Sequence, residues 1–436
     1  MNTISRKAVL AGIIGNAIEW YDFALYGHFS VIIGYTFFPK EEAGLATLAA
    51  FAVFSVSFFM RPLGAIIFSH IGDRYGRRKA LSLSMLGMAI PTAGIGLLPA
   101  YQDIGISATV IMIGLRLFQG VSLGGEMGGA VTYVMEHTPN KRIGLASSLI
   151  QASTCLGLLA GTSLSSLISF LLTDSQFQDW GWRLPFVVGL LAAWIGLKIR
   201  KSMPESALYE AAKAQDLLHY NPIRIIVLYH LGKVFTGLAI LVPMTFCFFF
   251  AFVFFNSFMM TNLGFPASRA LMNTSAAILL SLMTTVLSGW LADRLGYKRI
   301  LLIGALLLLA SAQLISRLLS GELSDSLIFP GLLLFAFLIG IYTSAAFAAV
   351  AGLFSTAIRY SGVSFAVNIA SPLFGSTAPL LATWLIREYG VESGFQTIGY
   401  YLMALSLLAL MAILKLDPDA FSHWSSNHRS LGQAEP

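Results

Sequence analysis

The sequence predicts an all-α membrane protein with about twelve transmembrane helices in two six-helix bundles. Three observations carry this. Hydrophobic residues make up 56% of the 436 positions and charged residues only 11%, against roughly 25% charged in soluble domains. A chain so poor in charge cannot clothe a water-facing surface, so lipid must be its solvent. Apolar runs of about 20 residues, enough to cross a hydrocarbon core of about 30 Å, recur along the whole length. One charged phrase occurs twice, as Gly72-Asp73-Arg74-Tyr75-Gly76-Arg77-Arg78-Lys79 and as Ala292-Asp293-Arg294-Leu295-Gly296-Tyr297-Lys298-Arg299.

In lipid the backbone must satisfy its own hydrogen bonds, which leaves helices or a closed barrel. Continuous apolar runs without period-two alternation select helices. The expected spans are 8–36, 46–70, 80–100, 107–136, 143–172, 184–200, 225–260, 268–291, 299–320, 327–354, 361–386 and 393–415. The first is no cleaved signal peptide, because Glu19 and Asp22 stand in its middle. The longest polar interruption, 201–224, separates a bundle at 1–200 from a bundle at 225–416. Within it, a short amphipathic helix entered through Ser206 or an earlier cap is expected. The tail 417–436 is short, polar and free of heptads.

Lys and Arg concentrate on one set of loops, those holding Arg74, Arg77, Arg78, Lys141, Arg142, Arg200, Arg294, Lys298 and Arg359. The opposite loops hold only Lys40, Arg183, Arg269, Arg317 and Arg387. By the positive-inside rule both termini are cytoplasmic. The net charge of +6 then reports topology, and no nucleic-acid partner is expected. Cys155 and Cys247 lie inside spans and are expected to be packing residues.

In the repeated phrase, Gly76 and Gly296 allow a tight turn between two helices. Asp73 and Asp293 are placed to pair with an arginine or to accept from the exposed N–H groups of a helix start. A loop shaped only by positive-inside bias is the blander reading, and duplication at equivalent positions argues against it. Parallel six-span repeats with a midplane site between them are a known transporter architecture.

Charges inside the spans are the candidates for chemistry, since each costs about 2.5–3.5 kcal/mol at the bilayer centre. Glu19 and Asp22 share a helix face, and Asn16 extends it. Two such close carboxylates resist simultaneous ionisation, which suits a proton carrier. Glu126 sits among glycines 120, 124, 125, 128 and 129, ten residues after Arg116. Arg116 is expected to pair with Asp22 or Glu19, or to grip a substrate carboxylate. A purely structural ion pair is the competing reading. Gln119, Tyr21, Tyr26 and Asn368 are candidate substrate contacts, as is Lys233 unless it snorkels to the interface. Glu136 is expected to join Arg74, Arg77 or Arg78 in a gate with Arg142, Arg294 and Arg359. The run of Phe246, Phe248, Phe249, Phe250, Phe252, Phe254 and Phe255 is either packing or an aromatic box for a quaternary ammonium. Pro372 and Pro379 should distort the eleventh span.

The repeated phrase resembles the cytoplasmic loop signature of the major facilitator superfamily, departing from its pattern at Ser69. Gly15-Asn16, Ile18-Glu19-Trp20-Tyr21-Asp22-Phe23 and Tyr26-Gly27 resemble the first helix of the metabolite:proton symporters. That family includes permeases for proline and betaine, α-ketoglutarate, citrate and shikimate. Arg116-Leu117-Phe118-Gln119-Gly120 with Gly124-Gly125-Glu126 is similar to its fourth helix. Trp180-Gly181-Trp182-Arg183-Leu184-Pro185-Phe186, Pro204-Glu205-Ser206 and Phe374-Gly375-Ser376-Thr377-Ala378-Pro379 also fit. The resemblance spans about residues 12 to 390. It implies uptake of a small carboxylate-bearing metabolite by alternating access, with Glu19, Asp22 and Glu126 carrying the proton. It also implies a monomer in a bacterial inner membrane, with no cofactor beyond the proton. An uncoupled facilitator and a solute sensor are the other classes weighed. A membrane enzyme is not expected, since no nucleophile–base or metal-ligand pattern occurs.

Overall fold

A computed structural model describes residues 6–39, 53, 56–215, 222–322 and 324–417. The helices are α1 (Arg6–Phe37), α2 (Arg61–Tyr75), α3 (Arg77–Leu97), α4 (Ile106–Glu136), α5 (Ile143–Leu171) and α6 (Leu184–Lys201). They continue as α7 (Ala207–Ala214), α8 (Pro222–Tyr229), α9 (Leu231–Phe249), α10 (Phe255–Thr261), α11 (Ala267–Leu295), α12 (Tyr297–Ser320), α13 (Asp325–Gly352), α14 (Arg359–Ala370) and α15 (Ala378–Leu414). No strand occurs among the described residues.

Nine helical stretches of the described residues are long and apolar enough to cross a membrane. The last, Thr356–Leu414, holds two crossings, because Gly390 (φ 81°, ψ 170°) kinks α15. The 32-residue α1 and the 15 described residues of α2 bring the helices of the described residues to the expected twelve. The protein is an all-α membrane protein, and its described spans lie close to the expected positions; residues 46–52, 54 and 55 of the expected span 46–70 lie outside the described residues. The expected span 225–260 is corrected: it breaks at His230, before α9, and takes a π-helical turn over Phe250–Phe254. A second π-helical turn, Ser371–Gly375, comes after α14 where Pro372 cannot donate to the helical ladder.

Small residues set the helix spacing. A Cβ on Gly124 of α4 would strike the Arg61 carbonyl of α2. A Cβ on Gly128 or Gly129 would strike Ser364 or Tyr360 of α14. α4 therefore packs on both neighbours through its backbone. Helices from the two ends of the chain meet along α2–α14, α5–α11 and α5–α13. Between α6 and α9, Ser206 caps α7 by accepting from the Tyr209 N–H at 3.2 Å, as its position predicts.

Candidate functional site

α1 lays Asn16, Glu19 and Asp22 along one buried face. Arg116 pairs with Asp22, one of its two expected partners, and each of the three acids Glu19, Asp22 and Glu126 has its own arginine. Glu19 Oε1 meets Arg61 Nη2 of α2 at 3.3 Å, and Asp22 Oδ2 meets Arg116 Nη1 of α4 at 3.6 Å. Glu126 pairs with Arg200 at the end of α6. An unpaired charge at this depth is too costly to keep, so each acid finds a cation.

The three pairs sit in different surroundings. Asp22 also accepts from Thr92 Oγ1 (2.8 Å) and Gln119 Nε2 (3.1 Å), while Arg116 stacks 3.9 Å above the Tyr26 ring. Glu126 accepts from Ser84 Oγ at 2.9 Å, and Arg200 also donates to the Leu81 carbonyl. Arg61 continues across to the C-terminal half, where its Nε donates to Asn368 Oδ1 at 3.0 Å. Asn368 in turn donates to the carbonyls of Gly124 and Ser364, each at 2.8 Å.

Two cavities flank this cluster. One is lined by Trp20, Arg61, Gln151, Thr154, Phe248 and Phe249 among others, with about 40 Å³ of room for water-sized groups. The other is lined by Glu19, Trp20, Asp22, Ser57, Arg61 and Arg116, with Phe23, Phe58 and Leu123. Trp20 and Arg61 wall both. The phenylalanine run divides between its two readings. Phe248 and Phe249 face the first cavity, with Phe248 5.1 Å from Trp20, whereas Phe250, Phe255 and Phe258 pack on Phe395.

Other expected contacts lie elsewhere. Asn16 ties α1 to α5 through Ser153 Oγ (2.7 Å) and Thr154 Oγ1 (3.0 Å). Tyr21 donates to the Pro185 carbonyl at 2.6 Å. Lys233 is exposed near the start of α9 and lines neither cavity. Arg200 escaped sequence reasoning because it stands among Lys198 and Lys201 at a span end, where topology alone explains a basic residue. The signal that could have found it was Gly15, where a Cβ would strike both Arg200 and Glu126.

The repeated turn lies away from the cavities. α2 and α3 are separated by Gly76 alone, and α11 and α12 by Gly296 alone, both at positive φ (112° and 95°). Asp73 accepts from Ser361 N–H (3.0 Å) in the first turn of α14, and from Arg77 Nη1 (2.8 Å). Asp293 accepts from Gly144 N–H (2.7 Å) at the start of α5. Each aspartate thus caps a helix on the other side of the seam. Arg77 and Arg359 both meet Glu136 Oε1, at 3.2 and 2.9 Å. Arg78 instead reaches the Met203 carbonyl (3.1 Å), Arg74 accepts from Tyr209 at its carbonyl, Arg142 is exposed, and Arg294 lies 3.7 Å above the Trp290 ring.

Family comparison bears directly on this arrangement. Residues 8–218 match the family model described as sugar (and other) transporter, and residues 238–434 match the Major Facilitator Superfamily model. The chain is 35% identical to the inner membrane metabolite transport protein YhjE of Escherichia coli (strain K12), over 94% of this chain and 93% of that one. It is 32% identical to the glycine betaine/proline/ectoine/pipecolic acid transporter OusA of Dickeya dadantii (strain 3937), over 93% of this chain and 82% of the relative. Its fold is similar to that of the proton:xylose symporter XylE bound to 6-bromo-6-deoxy-D-glucose, with a TM-score of 0.79 at 16% identity, covering 94% and 95% of the two chains. Paired acids and arginines at a helical seam, duplicated turns and this kinship agree: the chain belongs to the major facilitator superfamily and is a membrane transporter of small molecules, not an enzyme.

Proposed function

We propose that this transporter is a proton-coupled symporter for a small metabolite that bears a carboxylate, either a zwitterion of the proline or betaine kind or an organic acid. The observation that carries this reading is the set of three buried acid–arginine pairs, two of which line a cavity within the N-terminal half, next to a second cavity walled from both halves of the chain. Buried carboxylates held by arginines can exchange charge partners for protons without leaving a bare charge in lipid. Glu19, Asp22 and Glu126 are the proton-carrying candidates.

Arginine offers a substrate carboxylate a two-pronged grip. Trp20, Phe248 and Phe249 offer an alkylated ammonium group a π-rich wall. Together these favour a zwitterion over a dicarboxylate, in keeping with the solutes named for the relative from Dickeya dadantii. In this reading residues 1–200 and 225–416 are the two rocking bundles, joined by 201–224 and trailed by the tail 417–436. The turns at Gly76 and Gly296 face the cytoplasm and latch that side shut. The chain works as a monomer in the bacterial inner membrane with both termini inside, and uses no cofactor but the proton.

Uptake of labelled glycine betaine, proline, α-ketoglutarate and citrate into proteoliposomes tests this. Accumulation of one of them that rises with an inward proton gradient and collapses with an uncoupler is expected. Equilibration without accumulation would leave a facilitator in place of a symporter.

A further inference from the structure

We infer that Glu19 and the carboxylate of the substrate compete for the guanidinium of Arg61, so that substrate arrival hands Glu19 a proton. The inference rests on the symport reading above and names the pair at which coupling occurs.

The three acid–arginine pairs differ in how completely they are closed. Both oxygens of Glu126 are occupied, by Arg200 and by Ser84 Oγ. Both oxygens of Asp22 are occupied as well, Oδ1 by Thr92 and Oδ2 by Gln119 and Arg116. Glu19 is the exception. Its Oε1 meets Arg61 at 3.3 Å, and its Oε2 is buried without any hydrogen-bond partner. Leaving such a group unsatisfied in a low-dielectric interior is costly, and proteins keep such arrangements where a group must change state.

Arg61 is also the arginine that stands in both cavities. Asn368 holds its Nε edge, so the Nη edge is the one contested. Trp20, which walls both cavities, buries its indole N–H without a partner beside it. A carboxylate entering the first cavity therefore meets a cation whose present partner holds it by one long contact.

The other charges around Glu19 decide its protonation once Arg61 is taken. They are Asp22 on its own helix, Glu126 from α4 and Arg200 from α6. Arg200 is committed to Glu126, and Arg116 to Asp22. Once a substrate carboxylate neutralises Arg61, Glu19 has two acids nearby and no cation left to it. A buried carboxylate so placed neutralises by binding a proton. The balance is one proton bound at Glu19 per carboxylate bound at Arg61. When substrate leaves on the far side, Arg61 returns to Glu19 and the proton departs with it.

A pH-indicator measurement on purified wild-type protein reads this without any substitution. Glycine betaine, proline, α-ketoglutarate and citrate are added in turn, with choline as the betaine analogue that lacks a carboxylate. We expect about one proton taken up per molecule with whichever carboxylate compound binds, and none with choline. Equal uptake with choline, or binding of a carboxylate compound without proton uptake, overturns the inference. Binding of none of the four overturns it together with the symport reading.

Glu19→Gln should lose accumulation driven by the proton gradient and lose the proton uptake that accompanies binding of the carboxylate compound. Arg61→Lys should weaken binding by at least ~10-fold, because an ammonium cannot reproduce the two-pronged grip. If Glu19→Gln still accumulates substrate against its gradient as wild type does, proton symport stands and Glu19 is not its carrier. If wild type itself ignores the proton gradient, the symport reading falls first.

Discussion

The two copies of the repeated turn perform one task with unequal means. Both break a helix at a single glycine, and both send an aspartate across the seam to a helix start, Asp73 to α14 and Asp293 to α5. Both are braced by the chain just past the last long helix of their half. Arg78 reaches the Met203 carbonyl, and its counterpart Lys298 reaches the Leu416 carbonyl at 2.6 Å. Beyond this shared part they diverge. The first turn adds a buried net in which Arg77 joins Asp73 and Glu136, and Glu136 joins Arg359. The second has Tyr297 where the first has Arg77, ends α13 on Gly352 where α4 ends on Glu136, and leaves Arg142 exposed where Arg359 is buried. The difference teaches that the carboxylate-to-helix-start contact is the basic duplicated device. The ion network is an elaboration added at the α2–α14 seam.

Arg77→Ala should break this comparison most severely. It strips Asp73 and Glu136 of a buried cation, and losing one partner of such a pair costs about 3–5 kcal/mol. A large drop in melting temperature and loss of uptake are expected, and near-wild-type melting would mean that the network adds little. Gly144→Ala attacks the α5–α11 seam sterically, because its Cβ would lie 2.6 Å from both the Ala292 Cβ and the Gly289 carbonyl. About 1–3 kcal/mol of destabilisation is expected from forcing these helices apart. Greater protease access at the α11–α12 turn should accompany it, and unchanged access would show that the seam tolerates the methyl.

Asp293→Asn keeps a hydrogen-bond acceptor at the start of α5 and removes only its charge. A cost of about 1 kcal/mol and a modest fall in uptake are expected. A loss as large as that from Arg77→Ala would erase the proposed inequality of the two turns. Arg294→Ala, which removes an exposed contact with Trp290, should change stability by about 0.5 kcal/mol or less. A larger effect in a thermal melt would show that the second turn carries more than its aspartate contact.

Much of the site's membership was legible from charge scarcity. In a chain with so few ionisable residues inside its spans, Glu19, Asp22, Arg116 and Glu126 stand out without any structure. Their pairing was not legible, because each acid could reach several arginines on neighbouring helices. Arg61 is the residue that links α1 to α14. Lys233, attractive by charge alone, lies exposed instead. Tyr21 and Asn16, expected near substrate, donate to a backbone carbonyl and to hydroxyls of packed neighbours. A polar side chain in a span signals that some partner exists and is silent on whether that partner is solute or protein.

The sequence by itself determined the solvent, the helices, the duplication and the turn glycines, since these come from composition, apolar run length and local backbone sterics. Only the tertiary structure decided which arginine answers which acid, which Phe residues face a cavity, and which of the two turns is sealed by ions. Those outcomes depend on helix rotation and on glycine-permitted approach. Both are set by contacts between residues far apart in the chain, and no local pattern encodes them.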